Sequence, residues 1–129
     1  MKVLIDTHIA LWSLYDYAML KPPSVAILSD PINEVFISLA SAWEVEIKHS
    51  IGKLDVPSDV FVSDCKSMGF VILPINEKHV QELSKLEKPV TGHKDPFDRM
   101  LLAQSVSEKM NFLTEDSKLL EYSLANIIR

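Results

Sequence analysis

The sequence predicts an α/β fold in which a mostly parallel sheet is covered by helices on both faces. Short apolar, partly β-branched runs alternate with segments of helical periodicity along the 129 residues. Strands that are separated by helices pair in parallel, and a parallel sheet buries both of its faces. No internal repeat, low-complexity tract or linker interrupts the alternation, so we expect a single domain over residues 1–129.

The first half of the chain predicts two strands, each followed by two helices. The strands are short apolar runs, and the first ends at the charge of Asp6. Proline suits a first helical turn, and Pro23 therefore opens the second helix. Gly52 and Gly69 lie where helices stop. In chain order the predicted elements are strand 2–5, helices 7–14 and 23–29, strand 34–38, and helices 41–50 and 58–68.

The second half predicts three further strands and three helices. Asn76 is a favourable cap for the helix that follows it. A loop at 87–94 carries Pro89 and Gly92, after which Asp95 and Pro96 open the clearest helix of the chain. In chain order the predicted elements are strand 70–73, helix 76–86, a helix from 95 to about 109, strand 111–114, a short helix 116–122 and an edge strand 125–128.

Composition limits the classes of protein that the chain can belong to. No apolar run approaches the roughly 20 residues of a membrane span. The N-terminus lacks a signal-peptide pattern, and the single cysteine, Cys65, excludes an internal disulfide framework. We therefore expect a cytoplasmic protein without membrane association. The net charge of −5 disfavours nucleic-acid binding. The charge of the rest of the chain is zero, however, once five suspected site acids are left out: Asp6, Glu44, Asp95, Asp98 and Asp116.

Four of those acids lie where an α/β fold would bring them to a shared pocket. Asp6 closes the first strand, Asp116 follows the strand 111–114, and Glu44 and Asp98 lie on helical segments. Ligands of open α/β sheets bind beyond the carboxyl ends of the strands. Carboxylates that meet there stay ionised only beside a cation, and hard divalent ions take oxygen ligands. The pattern predicts a metal-dependent site that acts on phosphate esters.

Each acid also has a purely structural interpretation. Asp6 and Asp116 are good helix N-caps, and a capping aspartate at a strand end can serve both roles. Asp95 before Pro96 is a stronger cap signal, and the helix dipole favours an acid such as Asp98 in the first turn. Glu44 is either paired with Lys48 on an exposed face or turned into a pocket.

Taken together and in order, these motifs resemble the PIN-domain ribonucleases, and most of all the VapC-type toxins of bacterial toxin–antitoxin pairs. Any single tripeptide is a weak signal, but the set spans nearly the whole chain. The matching stretches are L-I-D-T-H at 4–8 with L-W at 11–12, S-A-W-E-V at 41–45 through Lys48, G-K-L at 52–54, H-K-D-P-F-D-R at 93–99 with A-Q at 103–104, and L-T-E-D at 113–116.

The resemblance implies a three-layer α/β/α sandwich with a metal site of Mg²⁺ or Mn²⁺ at one end of the sheet. The family's acidic quartet, catalytic and metal-holding, matches Asp6, Glu44, Asp98 and Asp116. Its supporting hydroxyl positions match Thr7 and Thr114, and Asp95 is an additional acid of the D-P-F-D-R subgroup.

The activity implied is metal-dependent hydrolysis of RNA phosphodiester bonds, as the toxin of a type II toxin–antitoxin system. We expect Asp6 and Asp98 to hold a first ion, with Asp116 and Glu44 completing a second site. Arg99 or Lys94 would steady the phosphate, and His93 is open to either a substrate contact or a loop-ordering role. The expected partners are RNA, a cognate antitoxin and a second copy of the chain, the last through apolar positions around Trp12 or Leu14.

Two other functions compete with this interpretation. A phospho-acceptor receiver domain also places acids at strand ends, but it needs paired acids after the first strand, where Asp6 stands alone. A catalytically silent PIN-fold module for regulation or binding is the second alternative, which the intact quartet disfavours. A P-loop NTPase is excluded because the chain has only three glycines and no G-x-x-x-x-G-K-[ST] motif.

Overall fold

The computed structural model describes residues 1–86, 95–122 and 126–128, and within them it confirms the parallel α/β sheet. All strand pairs are parallel, in the spatial order β3-β2-β1-β4-β5. Each strand coincides with a predicted one to within two residues at its ends. The strands are β1 (Lys2–Ile5), β2 (Glu34–Ser38), β3 (Val71–Leu73), β4 (Asn111–Leu113) and β5 (Ile127–Ile128).

In the part of the chain that the structure describes, six α-helices connect the strands, and each corresponds to a predicted helix. They are α1 (Thr7–Tyr15), α2 (Pro22–Ser29), α3 (Leu39–Ser50), α4 (Ser58–Ser67), α5 (Glu77–Leu83) and α6 (Pro96–Ser107). Two 3-10 turns differ from the prediction: Tyr17–Met19 was not expected, and Ser117–Glu121 replaces an expected α-helix. The expected loop 87–94 lies outside the described residues. Among the described helices, none combines the length and the apolar character needed to cross a bilayer.

Alternate side chains of the strands enter two different hydrophobic layers, which gives the three-layer sandwich. On β1, Val3 and Ile5 pack with Ile9 of α1 and Phe61 of α4. The intervening Leu4 faces the opposite layer. The second layer also holds Phe36, Phe112, Leu101, Leu102 and Leu119. Both faces of the central strand are therefore buried, as expected for a parallel sheet between helices.

The centre of the sheet contains a topological switch point. From β1 the chain builds outward through β2 to β3, and then returns across the sheet to add β4 and β5 on the other side of β1. The backbone N–H of Asp6 donates to the carbonyl of Leu113 over 3.2 Å, which joins the ends of β1 and β4. The connections that follow β1 and β4 leave the sheet in opposite directions, which opens a crevice between the ends of the two strands. In open α/β sheets, ligands usually bind in this crevice.

Candidate functional site

Asp6 lies at this switch point, directly after β1, and is the N-cap of α1. Its Oδ1 accepts the backbone N–H of Ile9 at 2.8 Å, and its Oδ2 accepts the hydroxyl of Thr114 at 2.5 Å. The residue is only 4% exposed. Burial raises the pKa of the Asp6 carboxyl, the two hydrogen bonds and His8 lower it, and nearby Asp116 raises it further. Ionised Asp6 thus lacks full compensation from the protein alone.

Asp116 approaches the same crevice from the other strand. Its backbone N–H donates to the Thr114 hydroxyl oxygen at 3.0 Å, and its Oδ1 accepts the backbone N–H of Lys118 at 3.0 Å. Thr114 therefore links the two aspartates through one hydroxyl group. Asp6 and Asp116 border one cavity of about 260 Å³, which we call the acid cavity, together with His8, Trp12 and Glu115.

Thr7 ties the start of α1 to the neighbouring helix α3. Its hydroxyl donates to Oγ of Ser41 at 2.8 Å, and both residues are buried. Glu44 follows Ser41 by three residues, and positions three apart lie on one face of a helix. Thr7 thus positions the Glu44-bearing face of α3 relative to Asp6.

Glu44 combines features of both of its alternatives. It is 8% exposed, so it does not lie on a solvated face, yet Nζ of Lys48 lies 3.1 Å from its Oε2. Its charge is therefore balanced by a lysine one helical turn away. Glu44 is the sixth residue of α3, about 8 Å along the axis from the strand end at the usual helical rise.

The start of α6 brings Asp95 and Asp98 to the same end of the sheet. Oδ1 of Asp95 accepts the backbone N–H groups of Phe97 and Asp98 at 2.9 and 3.0 Å, so Asp95 is the helix cap. The Phe97 ring packs edge-on against Trp43, with centroids 5.1 Å apart, and this contact holds the start of α6 beside α3. Asp98 follows in the first turn and is partly buried.

Arg99 is directed toward the segment that follows Asp116. Its Nη1 donates to the hydroxyl of Tyr122 at 2.9 Å, and its guanidinium carbon lies 5.8 Å from the centre of that ring. Arg99 therefore joins α6 to the 3-10 turn after β4. The other predicted cations of this region, Lys94 and His93, lie outside the described residues.

The chain topology places all four predicted acids at one end of the sheet, but the acid cavity brings together two of them, Asp6 and Asp116. Over residues 1–86, 95–122 and 126–128, no three His, Cys, Asp or Glu side chains are grouped closely enough to hold an ion. The two aspartates still suit Mg²⁺, which is commonly bound by one or two carboxylates, with water and substrate phosphate completing its shell.

Three residues of the acid cavity were not predicted as site residues. His8 and Trp12 reach it because they are one and five residues beyond the first residue of α1. Glu115 reaches it because it stands between Thr114 and Asp116. Its Oε2 accepts hydrogen bonds from the backbone N–H of Lys21 at 3.0 Å and from the hydroxyl of Ser24 at 2.7 Å. The sequence signal that could have indicated Glu115 is its position inside the L-T-E-D motif, between two predicted site residues.

Comparisons with known proteins agree with this architecture. Residues 3–124 match the sequence model of a family described as PIN domain. A search of curated proteins found no significant match. A chain in the crystal structure of VapBC2 from Rickettsia felis, bound to a DNA fragment from their promoter, superposes with a TM-score of 0.72 at 13% identity, over 99% of this chain and 98% of that one.

Two further solved structures are similar. A chain of FitAcB from Neisseria gonorrhoeae gives a TM-score of 0.65 at 16% identity and covers 98% of this chain and 96% of that chain. A chain of VapBC-5 from Mycobacterium tuberculosis, a member of the VapBC family of toxin–antitoxin systems, gives 0.63 at 14% identity and covers 98% and 95%. At these identities the similarity establishes the fold.

Proposed function

Because the chain belongs to the PIN domain family, we propose that it is a metal-dependent endoribonuclease and the toxin of a type II toxin–antitoxin pair. The observation that carries the proposal is the Asp6–Thr114–Asp116 arrangement at the switch point of the sheet. Two carboxylates border one cavity there, and burial disfavours the ionised form of one of them. A divalent cation resolves this conflict, and it also suits an anionic phosphodiester substrate.

Asp6 and Asp116 would hold the ion. When bound, Mg²⁺ or Mn²⁺ lowers the pKa of coordinated water and offsets the negative charge that develops on a phosphate. The chain fixes both carboxylates in advance: Asp6 through Ile9 and Thr114, and Asp116 through Lys118. Within the described chain, Oδ2 of Asp116 accepts no hydrogen bond and is available as a ligand. Preorganised ligands lose little side-chain freedom on binding.

The other predicted site residues would act around Asp6 and Asp116. Asp98 and Glu44 would supply further negative charge or water contacts, with Lys48 moderating Glu44. Asp95 would hold the first turn of α6, while Thr7 would hold α3 against α1. Hydrolysis would add water across the P–O3′ bond, which leaves a 5′-phosphate and a 3′-hydroxyl.

The partners are proposed from the same relationship. The similar structures from Rickettsia felis and Mycobacterium tuberculosis are described as VapBC assemblies, and the latter as a toxin–antitoxin system. We propose that this chain likewise binds a cognate antitoxin, acts on RNA in the cytoplasm, and forms a homodimer. We propose that a single domain over residues 1–129 carries all of these activities.

Incubation of the purified protein with RNA, with and without EDTA, tests the activity. Chelator-sensitive cleavage that Asp116→Asn abolishes is the expected result. Asp59→Asn is a control for the loss of one carboxylate charge, because Asp59 lies exposed in the first turn of α4 and does not border the acid cavity. Absence of cleavage by a folded wild type would instead favour the catalytically silent PIN module.

Expression in a bacterial host tests the toxin assignment separately. Growth arrest is expected from the wild type and from Asp59→Asn but not from Asp98→Asn. Equal growth of all three strains, with equal amounts of folded protein, would contradict the toxin assignment. It would not affect the proposal of nuclease activity, which the cleavage assay tests separately.

A further inference from the structure

A second cavity adjoins the acid cavity and shares Glu115 with it. It has a volume of about 230 Å³ and lies between the end of β4 and the start of α2. Pro23 and Leu113 give it apolar walls, while Ser24, Glu115 and Ser117 add polar groups. The volume lies below the roughly 300–1,000 Å³ of pockets for drug-sized ligands, so it suits one flat heterocycle. We call it the base cavity.

Glu115 lines both cavities, and hydrogen bonds to only one of its carboxylate oxygens hold its side chain in place. Oε2 accepts both the backbone N–H of Lys21 and the hydroxyl of Ser24, which lie at the start of α2. Oε1 accepts no hydrogen bond from any described residue. The side chain is partly buried and therefore held in place, with one acceptor oxygen left for a ligand.

We propose that the base cavity receives one unpaired guanine of the RNA beside the scissile phosphate, and that Glu115 is the residue that selects it. This inference rests on the proposed nuclease function, because the neighbouring acid cavity would hold the phosphate. Single-stranded RNA is recognised by hydrogen bonds to the Watson–Crick edges of its unstacked bases. Pro23 and Leu113 would contact the faces of the base.

The choice of guanine follows from the hydrogen-bonding character of a carboxylate. An ionised carboxylate only accepts hydrogen bonds. Guanine presents two adjacent donors, N1–H and the N2 amino group. Adenine and cytosine each present an amino donor beside an acceptor ring nitrogen, and uracil presents a single N3–H between two carbonyl oxygens. In all three bases a carboxylate therefore meets a repelling acceptor next to the donor. Glu115 Oε1 therefore favours guanine, and the exposed side chain of Lys21 lies beside the cavity where a flanking phosphate would pass.

Glu115→Gln separates this role from helix capping. The amide oxygen can accept the same bonds from Lys21 and Ser24, so the start of α2 is preserved. The amide nitrogen then replaces Oε1 and turns an acceptor into a donor. A capping role alone predicts no change in base preference, whereas base selection predicts a loss of it.

Cleavage of a randomised RNA by the purified protein with Mg²⁺, followed by sequencing of the product ends, measures the base preference. Guanine enrichment at one fixed position near the cut is expected for the wild type. In Glu115→Gln its ratio to uracil should fall by about 10-fold or more. Glu46→Gln is the matched control, because Glu46 also accepts a serine hydroxyl at a helix start, that of Ser58, away from both cavities. An unchanged preference in Glu115→Gln would overturn the inference and leave the nuclease proposal intact.

A binding measurement keeps the test independent of catalysis. In the Asp116→Asn background, a fluorescent oligouridine with one central guanine should bind more tightly than the same RNA with inosine, which lacks the N2 amino group. Glu115→Gln should remove that difference. If the wild type cleaves no RNA but the difference is present, the nuclease proposal fails and the guanine site stands. Equal binding of the two RNAs would overturn the guanine site.

Discussion

Asp6→Asn should stabilise the metal-free protein at neutral pH while abolishing its response to Mg²⁺. Burial raises the pKa of Asp6 more than Thr114 and Ile9 lower it, so the ionised carboxylate costs folding free energy. Asparagine keeps an acceptor for the Ile9 N–H and removes the charge, although it weakens two charge-assisted hydrogen bonds. The balance is an expected gain of roughly 1 kcal/mol, or about 3–5 °C in Tm for a domain of this size.

The sign of the pH dependence follows from the direction of the pKa shift. Well below the ordinary value of 3.8, Asp6 is protonated in both folded and unfolded chains, and the variant has no electrostatic advantage. As the pH rises above 3.8, the unfolded chain ionises first, and wild-type stability falls until the pH exceeds the raised pKa of the folded state. The Tm difference between variant and wild type should therefore grow as the pH rises above 3.8 and level off once the pH exceeds the raised pKa of the folded state.

Thermal unfolding in EDTA and in MgCl₂ measures both effects. At an ion concentration ten times its Kd, binding adds about 1.4 kcal/mol to the wild type. The variant should gain nothing. Asp59→Asn, on the exposed start of α4, controls for the loss of one negative charge. A variant that is less stable than the wild type in EDTA at pH 7 would refute the burial argument, and a variant that retains the Mg²⁺ response would refute the role of Asp6 as a ligand.

Three further predictions each depend on the contacts or the burial of one side chain. Thr114→Val should lower stability by about 1–3 kcal/mol in denaturant titration, because Oδ2 of the buried Asp6 and the part-buried N–H of Asp116 both lose their hydrogen bond, and Thr114→Ser should restore it. Lys48→Met should leave Glu44 buried without its cation and lower Tm by a few degrees; an unchanged Tm would mean that the ion pair contributes nothing. Cys65 is fully buried and its pKa is raised to about 12, so a thiol reagent at pH 8 should react with it only after urea unfolding.

The strands and most helices could be predicted because their signals are local. Short apolar runs ended by polar residues define β1 and β2, and Gly52 and Gly69 adopt the positive φ angles that end α3 and α4. The prediction for α5 was too long because Leu86 is apolar and continues the helical spacing of the segment. The chain reaches Leu86 through tighter turns, in which the N–H of Leu86 bonds to the carbonyl of Leu83.

The site was predictable only where it depends on strand ends. Asp6 follows β1 directly and Asp116 lies three residues beyond the end of β4, so the order of elements is enough to find them. Glu115 could not be assigned in the same way, because its orientation depends on Lys21 and Ser24, which are more than 90 positions away along the chain. Periodicity likewise could not decide whether Glu44 is buried or paired, and the structure shows that it is both.

The capping by Asp6 and the ion binding that we propose for it both follow from one geometry. A strand that passes straight into a helix must place the helix N-cap at the carboxyl end of the sheet, and in β1 this end is also the switch point. Oδ1 of Asp6 then satisfies the N–H of Ile9 and fixes the carboxylate before any ligand arrives. An alanine at this position would remove both the cap and the charge, whereas asparagine removes only the charge. If Asp6→Asn is more stable and no longer responds to Mg²⁺, then the negative charge of Asp6 serves to bind the ion, and its Oδ1 serves to cap α1.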